Sequence, residues 1–216
     1  MRSFIRLLTT ASLCAATLPV FAQTDPLYTP LLAIQRQWAK INYQTPKDAK
    51  DDAFVQLESQ AEALAKQYPQ RAEPKVWEAI VLSTHAGVDG GLGALSKVRQ
   101  ARDLLEAAEK LNPAALEGSV YTSLGSLYYK VPGWPLGFGD DDKAATYLQK
   151  ALTFNPTGID ANYFYGDYLY HQGHPEEALS ALDKALHAPA RPDRPLADSG
   201  RRQEIQALIS KIRSAS

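Results

Sequence analysis

Cysteine is nearly absent from this chain of 216 residues. Its single cysteine, Cys14, lies in an apolar stretch near the N-terminus, and Leu13 occupies the preceding position. A lipoprotein processing site has a small residue at that position, so lipidation of Cys14 is not expected. If the first residues are removed, the remaining chain has no cysteine, which excludes disulfides, thiol catalysis and thiolate metal sites.

Long apolar runs are also missing, because no segment reaches the roughly 20 residues that a membrane-spanning helix needs. The first segment instead has the parts of a secretory signal peptide. Arg2 and Arg6 give it a basic start, residues 7–18 are mostly apolar, and Ala22 ends it with a small side chain. We expect cleavage after Ala22 and a mature chain of residues 23–216. The alternative is a buried N-terminal helix.

An excess of charge of either sign is absent: 23 basic residues stand against 24 acidic ones, and the formal net charge is −1. A nucleic-acid-binding surface or a polybasic membrane patch would need a basic excess, so neither is expected. Alternating apolar and polar runs, which indicate strands, are absent as well. Alanine, leucine, glutamine and lysine predominate between the turns. These absences predict an all-α domain.

A spaced set of small and apolar residues recurs along the chain. It appears as Ala101-Leu105-Ala108, as Ala144-Leu148-Ala151 and as Ala178-Leu182-Ala185. The last two sets lie 34 residues apart, which is the period of the tetratricopeptide repeat (TPR), and the first two lie 43 residues apart. Each set indicates the second helix of a helical hairpin, and the longer offset indicates an insertion.

The predicted first helices carry a glycine at a matching position. Tyr121, Leu124-Gly125 and Tyr128 define one such helix, and Tyr165-Gly166 lies in the next. A glycine inside a helix costs about 1 kcal/mol relative to alanine. Two glycines at one repeat position therefore indicate close contact between paired helices, although two incidental glycines are the alternative.

These patterns predict a single domain that is a right-handed α-solenoid of about four TPR-like hairpins. A terminal helix should cap the stack, because an end repeat has an uncovered apolar face. The predicted boundaries are a degenerate hairpin at 27–69, repeats at about 74–113, 114–156 and 158–190, and a cap helix at 196–213.

Two hairpins are predicted to have long connections, at 87–93 and 131–142. Long loops that contain glycine, proline and aromatic residues are often functional. Trp134 and Phe138 in the second connection either contact a partner or fill a gap in the core.

The segment from Val131 to Asp140, the run 162–166 and the turn 188–192 resemble those of exported bacterial TPR proteins. More distantly, the arrangement resembles the T component of tripartite ATP-independent periplasmic (TRAP) transporters. That resemblance implies a periplasmic helper of a substrate-binding protein, with a hydrophobic cavity for a small organic ligand. Those helpers are commonly lipid-anchored, whereas this chain lacks a lipidation motif.

In TPR stacks the first helices line the concave side, which is where we expect a ligand. The mixture of tyrosines, carboxylates and a lysine suits a peptide or a small polar-aromatic ligand, whereas a solvated, empty groove is the alternative. The candidate binding residues are Glu78, His85, Ser126, Tyr129, Lys130, Tyr163, Asp167, Tyr170 and His171 in the helices, and Trp134 and Phe138 in the 131–142 connection. Four arginines near the C-terminus either bind an anion or form a solvated basic end: Arg191, Arg194, Arg201 and Arg202.

A catalytic or metal site is not predicted. A turn separates His171 from His174, so the two do not share a helix face, and the acidic run 140–142 is expected to start a helix rather than to bind calcium. We therefore predict a non-enzymatic periplasmic scaffold, without a cofactor, that binds a protein or peptide through its concave face and the two connections. The alternatives are a small-ligand-binding accessory of a TRAP-type transporter and, less favoured, an enzyme. Homo-oligomerisation is left open.

Overall fold

The computed structural model describes residues 25–215, apart from the side chain of Leu92. The signal peptide predicted at 1–22 lies outside the described residues. Within 25–215 the chain forms nine α-helices, a short 3-10 turn at Lys47–Ala49 and no strand, which confirms the all-α class. The helices are α1 (Tyr28–Gln44), α2 (Lys50–Gln67), α3 (Ala72–Asp89), α4 (Gly91–Leu111), α5 (Ala115–Lys130), α6 (Asp141–Phe154), α7 (Ile159–His171), α8 (Pro175–Leu186) and α9 (Pro195–Ala215).

The helices pack as consecutive hairpins that stack in chain order. The pairs α1–α2, α3–α4, α5–α6 and α7–α8 are in contact, and the first helices α1, α3, α5 and α7 also contact one another in sequence. This arrangement lets each hairpin bury its apolar face against the next, as in helical-repeat proteins. No helix of the described part is both long and apolar enough to span a membrane.

The two repeat glycines lie at equivalent helix contacts. A Cβ on Gly125 would lie 2.6 Å from Cγ of Leu148, and a Cβ on Gly166 would lie 2.9 Å from Cγ of Leu182. Leu148 and Leu182 are fully buried, as are the repeat alanines beside them. The glycines therefore let α5 and α7 approach α6 and α8 more closely than a larger residue would allow.

The last helix connects the two ends of the stack. Besides α7 and α8, α9 contacts α1, which is the first helix of the first hairpin. Its apolar stripe is buried, with Ile205 and Ile212 almost inaccessible to solvent. At Gly200 the helix comes so close to α1 that an added Cβ would lie 2.4 Å from the Tyr43 ring. The concave side is therefore partly closed by α9.

The prediction of a long connection at 87–93 is wrong. Helix α3 continues to Asp89 and α4 begins at Gly91, so only Gly90 lies between them. Gly90 and Gly91 have positive φ angles of 67° and 66°, which glycine adopts without steric cost. Gly87 is accommodated inside a helix.

The second connection is a long loop from Val131 to Asp140 that folds compactly. It folds back so closely that a Cβ on Gly139 would collide with the carbonyl oxygen of Val131. The Gly139 N–H donates to the Pro132 carbonyl at 3.0 Å. The Trp134–Pro135 peptide bond is cis.

Candidate binding cavity

A cavity lies on the concave side of the stack, where the first helices face α9. Its larger chamber has a volume of about 770 Å³ and is lined by α1, α5, the start of α7 and the segment 189–194. A smaller chamber of about 280 Å³ extends from it between α1, α3, α5, α7 and α9. The two chambers share wall residues from four parts of the chain: Trp77, Ser119, Thr122, Asp160, Arg191 and Arg194.

The larger chamber is lined by both apolar and polar residues. Leu31, Leu32 and Phe154 contribute apolar surface, whereas Gln35 and Thr122 are polar residues that are each 8% exposed. Apolar walls with a few placed polar groups are typical of ligand sites, whose volumes are about 300–1,000 Å³.

A left-handed turn forms part of this wall. Leu116, Glu117 and Gly118, which begin α5, have φ angles of 51°, 56° and 74°. Left-handed geometry costs a non-glycine residue roughly 1–2 kcal/mol. The turn directs the Glu117 carboxylate to accept a hydrogen bond from the Asn155 side-chain amide at 2.7 Å. Strained backbone of this kind is concentrated at binding and active sites.

Aromatic side chains of α1 and α3 lie beside the smaller chamber. The rings of Trp38 and Trp77 meet edge to face at 5.9 Å, and Trp38 also contacts Tyr43 at 5.8 Å. The Trp38 indole N–H donates to Oγ1 of Thr84 at 3.0 Å. These contacts hold a rigid aromatic wall opposite α9.

Two arginines of the closing segment are paired with carboxylates. Arg191 donates to Asp160 at 2.7 Å and to Asp198 at 2.6 Å, and Arg201 donates to Asp160 at 2.9 Å. Burial favours a raised pKa for Asp160, but Arg201 and Arg191 outweigh it and hold the pKa well below its ordinary value. This network attaches α9 and the segment before it to the start of α7.

Arg194 differs from these two arginines. Its guanidinium lies over the Trp77 ring, 4.9 Å from the centroid, and its Nε is buried without a hydrogen-bond partner. Among residues 25–215 it has no carboxylate oxygen within 4.0 Å of its nitrogens. Burial, followed by repulsion from Arg191, lowers the pKa of Arg194 to about 10.

Four of the predicted binding residues come together near the end of α5. The Tyr129 hydroxyl donates to Oδ2 of Asp167 at 2.7 Å, and Lys130 Nζ donates to the same oxygen at 2.6 Å. His171 Nε2 lies 3.8 Å from the other Asp167 oxygen. Burial and the nearby Asp167 raise the pKa of Tyr129, so its hydroxyl keeps its proton. This cluster joins α5 to α7, and Lys130 also lines the smaller chamber.

Ser126 and Tyr163 line the smaller chamber, whereas Tyr170 does not. The Arg201 guanidinium lies 4.4 Å from the Tyr163 ring centroid, and burial raises the pKa of Tyr163 to about 12. Lys211 of α9 lies over the ring of Tyr170 at 5.2 Å.

Glu78 and His85 lie away from the cavity, on the side of α3 that faces α2. His85 is only 1% exposed, and its ring nitrogens lie 2.7 Å from Glu58 and 2.8 Å from Asp51. Glu78 is also buried, and this burial raises its pKa. The sequence pattern predicts that Glu78 and His85 face the concave side, which is incorrect for this helix. Trp77 and Thr84, each one residue earlier, line the smaller chamber instead.

Of the two aromatic residues in the 131–142 loop, one is exposed to solvent and the other packs against the hairpin. Trp134 is 90% exposed, and Leu136 is 66% exposed. Phe138 meets the ring of Tyr128 edge to face at 5.6 Å, and the Arg102 guanidinium lies 4.7 Å from its centroid. Trp134 is thus available to a partner, whereas Phe138 anchors the loop to the hairpin.

The sequence patterns do not indicate that Trp77 and the segment 189–194 form a joint wall. Trp77 fits the large-residue position of a repeat helix, and the arginine pattern alone does not distinguish an anion site from a solvated end. The nearest sequence signal was the arginine density after Pro189, with Asp193 and Asp198 interspersed. No group of three or more potential metal ligands occurs within residues 25–215.

A scan against protein-family models finds no match, and a search of curated proteins finds none either. Among solved structures, the chain is similar to a thermophilic TPR protein from Thermus thermophilus, with a TM-score of 0.45 and 16% sequence identity. The similarity covers 86% of this chain and 98% of that chain. The helical-repeat description of this protein rests on its own stacked hairpins and on the 34-residue spacing of its buried alanines.

Proposed function

We propose that this protein is an exported, non-enzymatic scaffold that binds a short segment of a partner protein on its concave side. The cavity of about 770 Å³ between the first helices and the 189–194 segment carries this proposal. Stacked helical repeats commonly bind partners on their concave surface, and the walls here offer aromatic surface together with polar groups.

The closure by α9 limits what can enter. Because α9 contacts both α1 and α7, the concave side does not offer an open groove for a folded domain. A chain terminus or an extended segment fits such a space, since it can enter end-on. Specificity would come from the polar residues of the larger chamber, among them Gln35, Glu117 and Thr122.

The exposed loop supplies a second contact with the same partner. Trp134 and Leu136 project from a loop whose backbone hydrogen bonds hold its shape. Large exposed apolar residues on a well-defined loop are typical of partner-binding sites. Phe138 supports this contact from below without touching the partner.

A small-ligand carrier that assists a TRAP-type transporter is the second candidate, favoured by the volume of the larger chamber, about 770 Å³. A chamber of this volume accommodates a drug-sized molecule. A periplasmic substrate-binding protein would then be the partner, and it would contact the exposed face of the loop.

A cavity-filling variant tests the proposal. Thr122 is 8% exposed and lines both chambers, so Thr122→Phe should reduce the available volume. Thr146→Phe on the exposed face of α6 is the matched control. We would purify the three proteins from the source periplasm and identify bound species by native mass spectrometry.

A bound polypeptide that the Thr122 variant loses and the Thr146 variant retains supports the scaffold. A bound small molecule with the same behaviour supports the carrier. Equal retention by both variants contradicts binding in the cavity. Export is tested separately by cell fractionation and N-terminal sequencing, which should find a mature chain that begins at Gln23.

A further inference from the structure

Arg194 carries a positive charge that the surrounding residues leave unpaired. Asp160 and Asp198, the nearest acidic residues of the network, already accept hydrogen bonds from Arg191 and Arg201. The Asp193 carboxylate accepts one from the Tyr28 hydroxyl at 2.6 Å instead of pairing with the adjacent Arg194.

The position of Arg194 is also unusual. It is half-buried and lines both chambers, and its guanidinium rests on the Trp77 ring. The buried side-chain polar atoms without a partner among residues 25–215 are its Nε and the Tyr43 hydroxyl, and both residues line the smaller chamber. A buried polar atom without a hydrogen-bond partner is costly, so the Nε of Arg194 indicates a missing acceptor.

We propose that Arg194, held against Trp77, binds the carboxylate of the ligand that enters this cavity. A guanidinium donates two parallel hydrogen bonds to a carboxylate, and its planar form also stacks on an aromatic ring. The inference deepens the proposed function, because it assumes that the cavity is the binding site and names the chemical group recognised there.

The charges around Arg194 favour a single negative charge on the ligand. Arg191 and Arg201 share Asp160, and Asp198 and Glu204 complete their pairing. Glu117 adds a further carboxylate to the wall of the larger chamber. Within the described part of the chain, Arg194 is the arginine of this group that makes no ion pair within 4.0 Å, and a phosphate dianion would place a second negative charge near these acids.

The rest of the ligand should be apolar or aromatic. Leu31, Leu32 and Ile159 line the larger chamber beside Arg194, together with Phe154. Two sources offer a carboxylate next to an apolar body: the C-terminus of a polypeptide with an apolar last residue, and a free aryl or alkyl carboxylic acid. Both share the chemistry that Arg194 recognises.

Binding of paired probes tests this inference. We would measure binding affinities by isothermal titration calorimetry for two pairs of probes. The first pair is 3-phenylpropionate and its uncharged amide, and the second is the peptide N-acetyl-Ala-Phe and its C-terminal amide. Hydrogen bonds to charged groups change affinity by roughly 10- to 100-fold. The acid of at least one pair should therefore bind the unaltered protein at least about tenfold more tightly than its amide. The pair that binds distinguishes the free acid from the chain terminus.

The same titrations with Arg194→Gln should abolish the preference for the acid. Arg99→Gln, which removes an exposed arginine on α4, should leave it unchanged. Equal binding of acid and amide by the unaltered protein overturns the inference, and so does failure of every acid to bind. The comparison of acid with amide on the unaltered protein needs no variant, so it remains decisive if Arg194→Gln does not fold.

Failure of the inference is distinguishable from failure of the proposed function. Suppose that the Thr122→Phe protein loses its natural ligand while acids and amides bind equally to the unaltered protein. The cavity is then the binding site, but Arg194 does not recognise a carboxylate. If the Thr122→Phe protein keeps its natural ligand, the proposed function itself is contradicted.

Discussion

Replacing Gly125 by alanine tests how closely the helices of one hairpin approach. The new Cβ would lie 2.6 Å from Cγ of Leu148 and 3.2 Å from the Leu148 backbone nitrogen. Leu148 is fully buried, so its side chain has no open space to move into. The clash can be relieved only if α5 and α6 separate.

The magnitude follows from two opposing effects. Alanine is favoured over glycine inside a helix by about 1 kcal/mol. Overpacking a well-packed contact costs about 1–3 kcal/mol. The free energy of unfolding should therefore fall by up to about 2 kcal/mol, which lowers the melting temperature by up to about 4–8 °C for a chain of this length.

Gly87→Ala is the matched control. Gly87 also lies in a helix, but a Cβ there would meet nothing within 4 Å. This variant should be stabilised by up to about 1 kcal/mol, because the propensity gain has no clash to offset it. Gly166→Leu in the next hairpin should cost at least about 1–3 kcal/mol, since its Cβ already lies 2.9 Å from Cγ of Leu182.

Urea unfolding followed by circular dichroism at 222 nm would measure these differences. The reasoning is refuted if Gly125→Ala and Gly87→Ala change the unfolding free energy in the same direction by similar amounts. That outcome would mean that helix propensity alone determines the effect and that the hairpin tolerates a side chain at the repeat position.

Three further predictions concern the loop and the closure by α9. Trp134→Ala should change stability by less than about 0.5 kcal/mol in a thermal melt while it weakens partner capture, because the side chain is 90% exposed. Asp160→Asn should cost about 2–4 kcal/mol at pH 7, somewhat below the value for a fully buried pair because Asp160 is 32% exposed. The folded-state pKa of Asp160 is lowered, so the stabilisation by its charge is present above pH 3.8 and is lost as the pH falls further. The Asp160→Asn variant should therefore show a flatter acid-unfolding curve than the natural protein. Gly200→Ala should destabilise the protein by up to about 2 kcal/mol in urea, because its Cβ would lie 2.4 Å from the Tyr43 ring while helix propensity offsets part of the cost. An unchanged midpoint would contradict the contact between α1 and α9.

The hairpins were predictable because their signal is local. Ala144 and Ala178 are fully buried, and each lies on the second helix of a hairpin whose two helices pack against each other. Spacing along one helix is therefore enough to indicate them. The glycines at 87–93 misled the prediction because glycine composition alone does not distinguish a loop from two helices that meet at Gly90.

It was harder to predict which face of each first helix points into the cavity. One residue along a helix turns a side chain by about 100°, so a frame shifted by one position points to a different neighbour. Gly125 and Gly166 fixed the frame of α5 and α7, and Ser126 and Tyr163 line the smaller chamber. Helix α3 has no glycine at that position, and the pattern predicted Glu78 and His85 on the concave side, whereas they face α2.

The cavity itself could not be predicted from the repeats, because it depends on contacts between distant parts of the chain. Arg191 and Arg201 lie outside the repeat frame, yet they bind Asp160 at the start of α7. Local periodicity carries no information about a contact between α1 and α9, so the arginines could not be assigned to an interior. Once α9 is in place, the same residues become the wall of a cavity, and Arg194 is the member of that wall whose Nε is buried without a hydrogen-bond partner. The repeats therefore build the frame, while the segment that closes it determines what the cavity can recognise.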